Sequence, residues 1–277
     1  MKYFDAHTHI NFVAYDEDRE ETINRCREQG VGMNVVGTQL DTSRSAVALA
    51  EKHDHVFATI GLHPIHTAKS YHDPKELDAE NPPAGGFTSR GEVFETAVYE
   101  ALGTSAKVIA VGECGLDYYR VERDTKDVQV KAFIEQIELA NRLSKPLMLH
   151  IRNAYDDALE VLKAHAKVRG DVHFFAGDWG VAKKFLDEGY ALSFTGVITF
   201  THDYDEVVRN TPLDMILSET DAPYVTPVPH RGKRNEPAYV QMVVERIAEI
   251  KNQSVEVVQE AILANAERVF QVKLRSV

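Results

Sequence analysis

Long apolar runs, cysteines and a leader-like segment are all scarce or missing in this sequence of 277 residues. No stretch approaches the ~20 consecutive apolar residues that a membrane-spanning helix needs, so we expect no membrane association. Cys26 and Cys114 are the only cysteines, which excludes a framework of several disulfides and fits a reducing cytoplasm. The first residues carry no basic segment followed by an apolar run, so we expect no secretory signal and a cytoplasmic location.

Basic residues are also in deficit. Lys and Arg number 31 against 43 Asp and Glu, which gives a formal net charge of −12. Such a surface repels polyanions at long range and excludes a broad groove that coats nucleic acid. It is compatible with a small cationic pocket, because metal ions can dominate the field inside a site. Any nucleic-acid partner is therefore expected to be a short single strand or a free end, and no feature points to an obligate protein partner.

Eight apolar, β-branched runs alternate with segments of helical periodicity along the chain. This alternation is typical of parallel strands with crossover helices, and eight repeats favour closure into a barrel. We therefore predict an α/β fold, a (β/α)8 TIM barrel that forms a single domain over residues 1–277. The predicted strands are Tyr3–Ala6, Met33–Val36, Val56–Ile60, Val108–Gly112, Pro146–His150, Val172–Phe174, Ala191–Phe194 and Met215–Ser218.

Helical periodicity fills most of the segments between these strands. Two further helices near the C-terminus have regular apolar spacing and would complete the outer ring of the barrel. The predicted helices are Asp18–Gln29, Thr42–Lys52, Asp124–Leu143, Tyr155–Ala166, Gly180–Glu188, Asp205–Arg209, Pro237–Lys251 and Val255–Gln271.

One polar stretch interrupts the alternation. Residues Tyr71–Arg90 (YHDPKELDAENPPAGGFTSR) are rich in Pro and Gly and predict a long insertion loop on one face of the barrel. Such a loop is either a solvated insertion without function or a lid over a site, and the sequence leaves both alternatives open.

Two histidines stand one residue apart at the end of the first predicted strand. In a strand, His7 and His9 project from the same face, and neutral imidazole is a common zinc ligand. A lone His-x-His pair is as often found on a solvated surface. Barrel enzymes, however, gather their chemistry at the C-terminal ends of the strands, where the other strands here supply further ligand-type side chains. The six candidate metal ligands are His7, His9, Glu113, His150, His173 and Asp221.

The number and type of these side chains predict two divalent ions. Six side chains with one bridging carboxylate can hold a pair of ions about 3.5–4 Å apart. Four imidazoles and two carboxylates suit Zn²⁺, Mn²⁺, Fe²⁺ or Co²⁺, with Mg²⁺ less natural but compatible. The predicted assignment gives His7, His9 and Asp221 to the first ion, His150 and His173 to the second, and Glu113 to both.

Six short blocks resemble, in order and spacing, the signature of the TatD family of metal-dependent deoxyribonucleases, a branch of the amidohydrolase-like barrel superfamily. The blocks are FDAHTHI, GLHP, VGECGLDYY, LMLHIR, HFFAG and SETDAPY. The resemblance runs from Asp5 to at least Pro237 and implies the same six ligands. It also implies that His63 and Asp117 line the site, and that Arg152 and the RGKRNEP stretch help bind phosphate. The longer segment between GLHP and VGE, and Cys114 in place of an aliphatic residue, depart from the family pattern.

The resemblance implies a deoxyribonuclease of the 3′–5′ exonuclease type, acting on single-stranded DNA or nucleic-acid ends. The expected chemistry is attack by a metal-bound hydroxide, because divalent ions lower the pKa of water towards neutrality. Glu113 and Asp221 are the expected catalytic residues, with Asp221 placed to accept or orient the proton of that water. Arginine suits bidentate contact with phosphate, although the basic loop is equally well explained as a solvated surface. The candidate phosphate-binding cations are Arg152, Arg231, Lys233 and Arg234.

Two other functions fit the same residues. One is a carbonyl hydrolase, such as a deacylase that acts on an ester or amide, which would use the same ligands. An aminoacyl-tRNA is one substrate that such a deacylase could take. A barrel retained only for binding is the other alternative, and loss of a ligand would have indicated it. Trp179 and the aromatic pairs Tyr118-Tyr119 and Phe174-Phe175 fit either base stacking at the mouth or ordinary packing.

Overall fold

The computed structural model describes residues 1–69, 71–72, 87–119 and 125–274. Eight parallel strands form one sheet in which the order of the strands follows their order in the chain. The (β/α)8 barrel predicted from the sequence is thus confirmed. The strands are β1 Tyr3–Thr8, β2 Val31–Val36, β3 Val56–Ile60, β4 Val108–Asp117, β5 Leu147–Arg152, β6 Gly170–Val172, β7 Ala191–Phe194 and β8 Ile216–Ser218.

Helices surround the strands and cover their outer faces. In the helix Val240–Lys251, for example, Val243, Val244 and Ile247 recur at helical spacing and are buried. None of the described helices is long and apolar enough to cross a membrane. The helices are α1 Arg19–Glu28, α2 Leu40–Ala50, α3 Thr96–Gly103, α4 Lys126–Leu143, α5 Tyr155–His165, α6 Trp179–Asp187, α7 Asp205–Asn210, α8 Val240–Lys251 and α9 Val255–Phe270.

Most strand residues are buried, as expected of a parallel sheet covered on both faces. Every residue of β2 and of β4 is buried. Such strands appear in sequence as nearly continuous apolar runs, which is why they can be recognised without an alternating pattern. Polar side chains that interrupt these runs must therefore find partners inside the barrel.

The barrel closes where the segment after β8 meets β1. Thr8 and Ala222 form a parallel bridge. The backbone N–H of Asp221 donates to the carbonyl of His7 at 2.9 Å, and that of His9 donates to the carbonyl of Ala222 at 2.7 Å. Three of the six candidate ligands therefore lie on the two chain segments that form this seam, and backbone hydrogen bonds fix their spacing.

Most element boundaries differ by a few residues from the sequence-based predictions, and two of these differences move candidate ligands relative to their strands. Strand β4 continues to Asp117, because its backbone pairs with β5 up to the Asp117–Arg152 pair; Glu113 therefore lies inside the strand instead of at its tip. Strand β6 ends at Val172, so His173 follows the strand. Helix α3 was not predicted.

The predicted insertion loop lies mostly outside the described residues. Tyr71–His72 pairs antiparallel with Phe87–Thr88, which gives a short ladder beside the barrel. Residues 73–86 are not described, so neither the lid nor the inert insertion is tested.

Candidate metal centre

Two carboxylates and two histidines meet at the seam of the barrel, and we call this set the seam site. It consists of His7, His9, Asp221 and one oxygen of Glu113. The Nε2 atom of His7 lies 3.1 Å from Nε2 of His9, 3.4 Å from Oε2 of Glu113 and 3.7 Å from Oδ1 of Asp221. The Nε2 atom of His9 lies 3.8 Å from the same Glu113 oxygen and 3.4 Å from the same Asp221 oxygen.

These separations fit a four-coordinate ion. A tetrahedral ion with ligand bonds of about 2.0–2.1 Å spaces its ligand atoms about 3.3–3.4 Å apart. The five measured separations, from 3.1 to 3.8 Å, bracket that value. The ring of His9 is oriented by the carbonyl of Val36, which lies 3.0 Å from Nδ1 and so leaves Nε2 facing the other ligands. The residues of the seam site therefore fit a divalent ion.

Asp221 reaches this position through a left-handed backbone conformation, with φ at +53°. Asp tolerates that region better than most residues because its short polar side chain can bond locally. The turn it makes directly after β8 brings its carboxylate to β1, on the other side of the seam.

The second oxygen of Glu113 faces a different set, which we call the histidine site. It consists of Oε1 of Glu113, Nδ1 of His150 and Nε2 of His173. The Glu113 oxygen lies 2.9 Å from the His150 nitrogen and 3.1 Å from the His173 nitrogen. Each imidazole has a carboxylate at its other nitrogen: Asp117 Oδ2 at 3.0 Å from His150 and Glu219 Oε1 at 3.0 Å from His173. A carboxylate that accepts one N–H leaves the lone pair of the other nitrogen directed inward, as in carboxylate–histidine–metal triads. The histidine site therefore also fits a divalent ion.

His63 also approaches Glu113, with Nε2 3.2 Å from Oε1. Its Nδ1 accepts the backbone N–H of Ile65 at 3.1 Å, so the neutral ring carries its proton on Nε2. Burial and the neighbouring His150 lower the pKa of His63 to about 4, which keeps the ring neutral. His63, Glu113 and His150 are close enough to hold an ion together, but the tautomer makes His63 a hydrogen-bond donor that lines the site.

The pKa values of the two carboxyl groups in the cluster, Glu113 and Asp221, are both lowered. Burial alone would raise the pKa of the Glu113 carboxyl, but His63, His173 and His7 around it hold that pKa well below its usual range. The pKa of Asp221 is likewise lowered despite its burial, chiefly by the hydrogen bond with His9. Both carboxylates are therefore ionised at neutral pH, as metal ligands must be.

The pKa of His7 is shifted in the opposite direction from the pKa values of His150 and His173. Burial and the nearby His173 lower the pKa of His7. Burial would do the same for His150 and His173, but hydrogen bonds with Asp117 and Glu113 raise the pKa of His150, and Glu219 and Glu113 raise that of His173 well above its usual value. Protons therefore compete with metal more strongly at the histidine site.

A layer of buried carboxylates beneath the cluster was missed by the sequence analysis. Ser193 Oγ lies 2.7 Å from both Asp171 Oδ2 and Glu219 Oε2, and Glu219 Oε1 also accepts the backbone N–H of Phe174 at 2.8 Å. In the same layer, Asp5 accepts the backbone N–H of Thr220 at 2.8 Å and its hydroxyl at 2.5 Å.

A signal for this layer was present in the sequence. Each of these acids stands two residues before a candidate ligand. On β1, which carries both Asp5 and His7, residues two apart share a face, so the acid lies deeper in the barrel than the ligand. Asp171 lies on β6 while His173 follows that strand, and Glu219 and Asp221 both follow β8. Burial raises the pKa of Asp5 and of Asp171 well above the usual range, which favours their neutral forms. The pairs are Asp5 with His7, Asp171 with His173, and Glu219 with Asp221.

Two of the candidate phosphate-binding arginines stand against aromatic rings. Arg152 ends β5 two residues after His150, and its guanidinium lies 3.7 Å from the ring centre of Tyr119. Arg231 lies 3.9 Å from the ring centre of Phe200. Since Arg152 shares a strand face with His150, it lies one layer outward from the histidine site.

Arg234, the third candidate, is engaged elsewhere. Its guanidinium makes two 2.7 Å hydrogen bonds with the carboxylate of Asp18 and lies 3.4 Å from Glu236. The hydrogen bond with Asp18 is the main reason that its pKa is raised. Arg234 thus ties the RGKRNEP loop to the segment before α1. Among the aromatic residues considered for base stacking, Phe175 is buried in the core, where it packs.

Comparisons with known proteins agree with this geometry. A family model described as TatD related DNase matches residues 4–271. YabD of Bacillus subtilis (strain 168), described as an uncharacterized metal-dependent hydrolase, is 36% identical over 274 residues, or 97% of this chain and 99% of YabD. YcfH of Escherichia coli (strain K12), with the same description, is 31% identical over 280 residues, or 98% of this chain and 97% of YcfH. The crystal structure of YJJV, a TatD homologue from Escherichia coli K12, superposes with a TM-score of 0.83 at 28% identity and covers 98% of this chain and 99% of its own. The chain therefore belongs to the TatD family of metal-dependent hydrolases.

Proposed function

We propose that this protein is a metal-dependent deoxyribonuclease that removes nucleotides from the 3′ ends of single-stranded DNA. The observation that carries the proposal is the position of Glu113, whose two oxygens face two separate sets of ligand atoms. The description of the family as TatD related DNase supports the substrate class. We assign two divalent ions, of the Zn²⁺, Mn²⁺, Fe²⁺ or Co²⁺ type, to the same six ligands predicted from the sequence: His7, His9, Glu113, His150, His173 and Asp221.

The residues around the ions have separate tasks. When bound, divalent ions act as Lewis acids and bring the pKa of water towards neutrality. Asp221, ionised because its pKa is lowered, is the group that accepts the proton of the attacking water at a carboxylate oxygen. His63 presents a fixed Nε2–H and can donate it to an oxygen of the scissile group.

A phosphodiester is favoured over a carbonyl group by the cations at the mouth. Arg152 lies one layer outward from His150, and a guanidinium stacked on a ring keeps its N–H edges available for phosphate oxygens. A neutral ester or amide has no charge for such a group to meet, whereas an aminoacyl-tRNA would also offer phosphates. The deacylase predicted as the alternative is therefore the competing outcome of the test below.

The test uses one single-stranded oligonucleotide, labelled either at its 5′ or at its 3′ end, and protein whose metal content has been measured. Degradation from the 3′ end gives a metal-dependent ladder from the 5′ label and immediate release of the 3′ label. Glu113→Gln, which keeps the size of the side chain and removes its charge, should lower this activity by about 1,000-fold or more, since several kcal/mol of electrostatic stabilisation are lost.

Closed circular single-stranded DNA is the control for end dependence and should stay intact. Cleavage of the circle would overturn the exonuclease, and a ladder from the 3′ label would reverse its direction. If protein that holds about two ions per chain leaves every DNA intact, the deoxyribonuclease is wrong and ester and amide substrates are tested next.

A further inference from the structure

Exposed apolar side chains surround the mouth of the barrel at the end that carries the metal-ligand cluster. Val13 is 84% exposed, Val93 79%, Val228 45% and Phe200 38%. They lie on the segments that follow β1, β3, β8 and β7, respectively. Several of the loops at the C-terminal ends of the strands, where the candidate ligands gather, therefore carry an exposed apolar side chain, and we call these loops the rim.

Phe200 is held on this rim by two loops that lock together. The hydroxyl of Thr199, its neighbour, accepts the backbone N–H of Val228 at 3.0 Å, which joins the loop after β7 to the loop after β8. Gly196 comes so close to the second loop that an added Cβ would lie 2.4 Å from the carbonyl oxygen of Val225. The exposed ring thus stands on a rigid support, which lowers the entropy cost of binding a ligand there.

Arg231 completes the surface. Its guanidinium lies over the ring of Phe200, 3.9 Å from the centre, and Nη1 donates to the carbonyl of Thr226 at 2.8 Å. The cation is therefore fixed against the ring. Guanidinium planes and aromatic rings are the groups on which proteins stack unpaired nucleobases, and the N–H edge of the same guanidinium suits a phosphate oxygen.

The pair also has the right location. The segment after β8 carries both Asp221 of the seam site and Arg231, so this half of the pair lies on the same segment as a candidate ligand. The second arginine–ring pair is formed by Tyr119, two residues after β4, and Arg152 at the end of β5, on another side of the mouth. A phosphodiester held at the cluster would have its two nucleosides extending towards the rim.

We propose that Phe200 and Arg231 form a nucleobase subsite for one of the two nucleotides that flank the scissile phosphate. The base stacks on the pair, while an N–H of Arg231 contacts the adjoining phosphate. This inference rests on the proposed deoxyribonuclease function and names the part of the substrate that the rim recognises.

The test pairs protein variants with altered oligonucleotides. Phe200→Ala should raise KM for a single-stranded oligonucleotide by about 10-fold and leave kcat nearly unchanged, because the stacking is made equally in ground and transition states. Phe200→Trp should keep the low KM. Arg231→Lys, which keeps the charge and loses the plane, should behave like Phe200→Ala. Val257→Ala, on α9 and 50% exposed, is the control for loss of exposed apolar surface and should leave KM unchanged.

The decisive comparison uses oligonucleotides with one abasic site at the last or the next-to-last position. At the stacked position, removal of the base should itself raise KM, and Phe200→Ala should then add nothing. If Phe200→Ala raises KM by the same factor for intact and abasic substrates, or raises it for neither, the subsite is wrong.

A binding experiment separates this inference from the proposed reaction. The Kd of the same oligonucleotides for the catalytically inactive Glu113→Gln variant, with and without Phe200→Ala, is measured by fluorescence anisotropy. If DNA is cleaved by the unmodified protein but Phe200→Ala alters neither Kd nor KM, the subsite fails and the deoxyribonuclease stands. If DNA binds in a Phe200- and base-dependent way without being cleaved, the subsite stands and the reaction fails.

Discussion

The two sides of Glu113 are built by different means. At the seam site, His7, His9 and Asp221 are spaced by backbone hydrogen bonds across the closure of the barrel. At the histidine site, His150 and His173 lie on or beside neighbouring strands, and carboxylates at their outer nitrogens orient them. One site is therefore fixed by the fold itself, and the other by a chain of side-chain hydrogen bonds that substitution can remove one at a time.

The sites also differ in how protons compete with metal. Both imidazoles of the histidine site have raised pKa values. In the seam site the pKa of His7 is lowered and only that of His9 is raised, by its hydrogen bond with Asp221 against the effect of burial. If two ions are bound, as we propose, they should be lost under different conditions.

The largest effect should come from removing one ligand on one side. Asp221→Asn removes the one carboxylate that belongs to the seam site alone, and it should reduce the metal content from about two ions to about one per chain, with a loss of activity of about 100-fold or more. His150→Gln should produce the same stoichiometry by emptying the histidine site. Elemental analysis after gel filtration, together with kcat/KM, measures both. Loss of both ions from either single variant would show that the two sides are not separable.

A substitution of His63 tests whether the histidine site has a third imidazole ligand, which the seam site does not have. The tautomer fixed by Ile65 makes His63 a donor, so His63→Gln, which retains an N–H, should leave the metal content unchanged. Activity should fall by about 10- to 100-fold, since the donor is less well placed. A parallel loss of one ion would contradict the assignment and make His63 a ligand.

Much of the fold could be predicted because buried parallel strands and amphipathic helices have distinct sequence patterns. The structure also brings together the six candidate ligands, since strand ends in a barrel face one mouth whatever the loops between them do. The extent of β4 could not be predicted. Its apolar run ends near Gly112, but pairing with β5 carries the strand to Asp117, and pairing between distant segments leaves no local pattern.

The roles of side chains that depend on contacts formed in the folded structure could not be predicted either. Arg231 and Arg234 belong to the same RGKR run, yet one lies on Phe200 and the other is bound by Asp18, which is 216 residues away in the chain. Nothing in their spacing separates them. The tautomer of His63 depends on a local turn that brings the N–H of Ile65 to Nδ1, and spacing does not specify that turn either.

A smaller effect is expected from pH. Metal binding needs deprotonated nitrogens, so affinity at the histidine site should rise by up to about tenfold per pH unit for each proton displaced, until pH exceeds the raised pKa values of His150 and His173. In metal-free protein these raised pKa values stabilise the fold below the unfolded-state pKa of ~6.5, and that stability is lost as pH rises through the folded values.

The increase in Tm on adding metal should therefore grow between about pH 6 and pH 8. Differential scanning calorimetry with added metal and with chelator measures it directly. An increase that is constant or shrinks with rising pH would mean that protons do not compete at this site. His150→Gln should remove the part of this pH dependence that comes from the histidine site, because the variant is expected to leave that site without metal.

The smallest expected effect tests the buried hydrogen bonds of Ser193 with Asp171 and Glu219 beneath the histidine site. Ser193→Ala removes the hydroxyl between Asp171 and Glu219, so Glu219 holds His173 less firmly. Partners of this kind are typically worth about 10- to 100-fold in metal affinity, and we expect the lower end because Phe174 still donates to Glu219. Ser218→Ala is the matched control: that hydroxyl is buried in β8 without a hydrogen-bond partner among the described residues, so its loss should leave affinity unchanged. Competition with a chromogenic chelator would resolve the two ions, and the weakening should fall on one of them. An equal weakening of both would show that the buried acids support the whole cluster, and that the two sides of Glu113 are less distinct than their hydrogen bonds indicate.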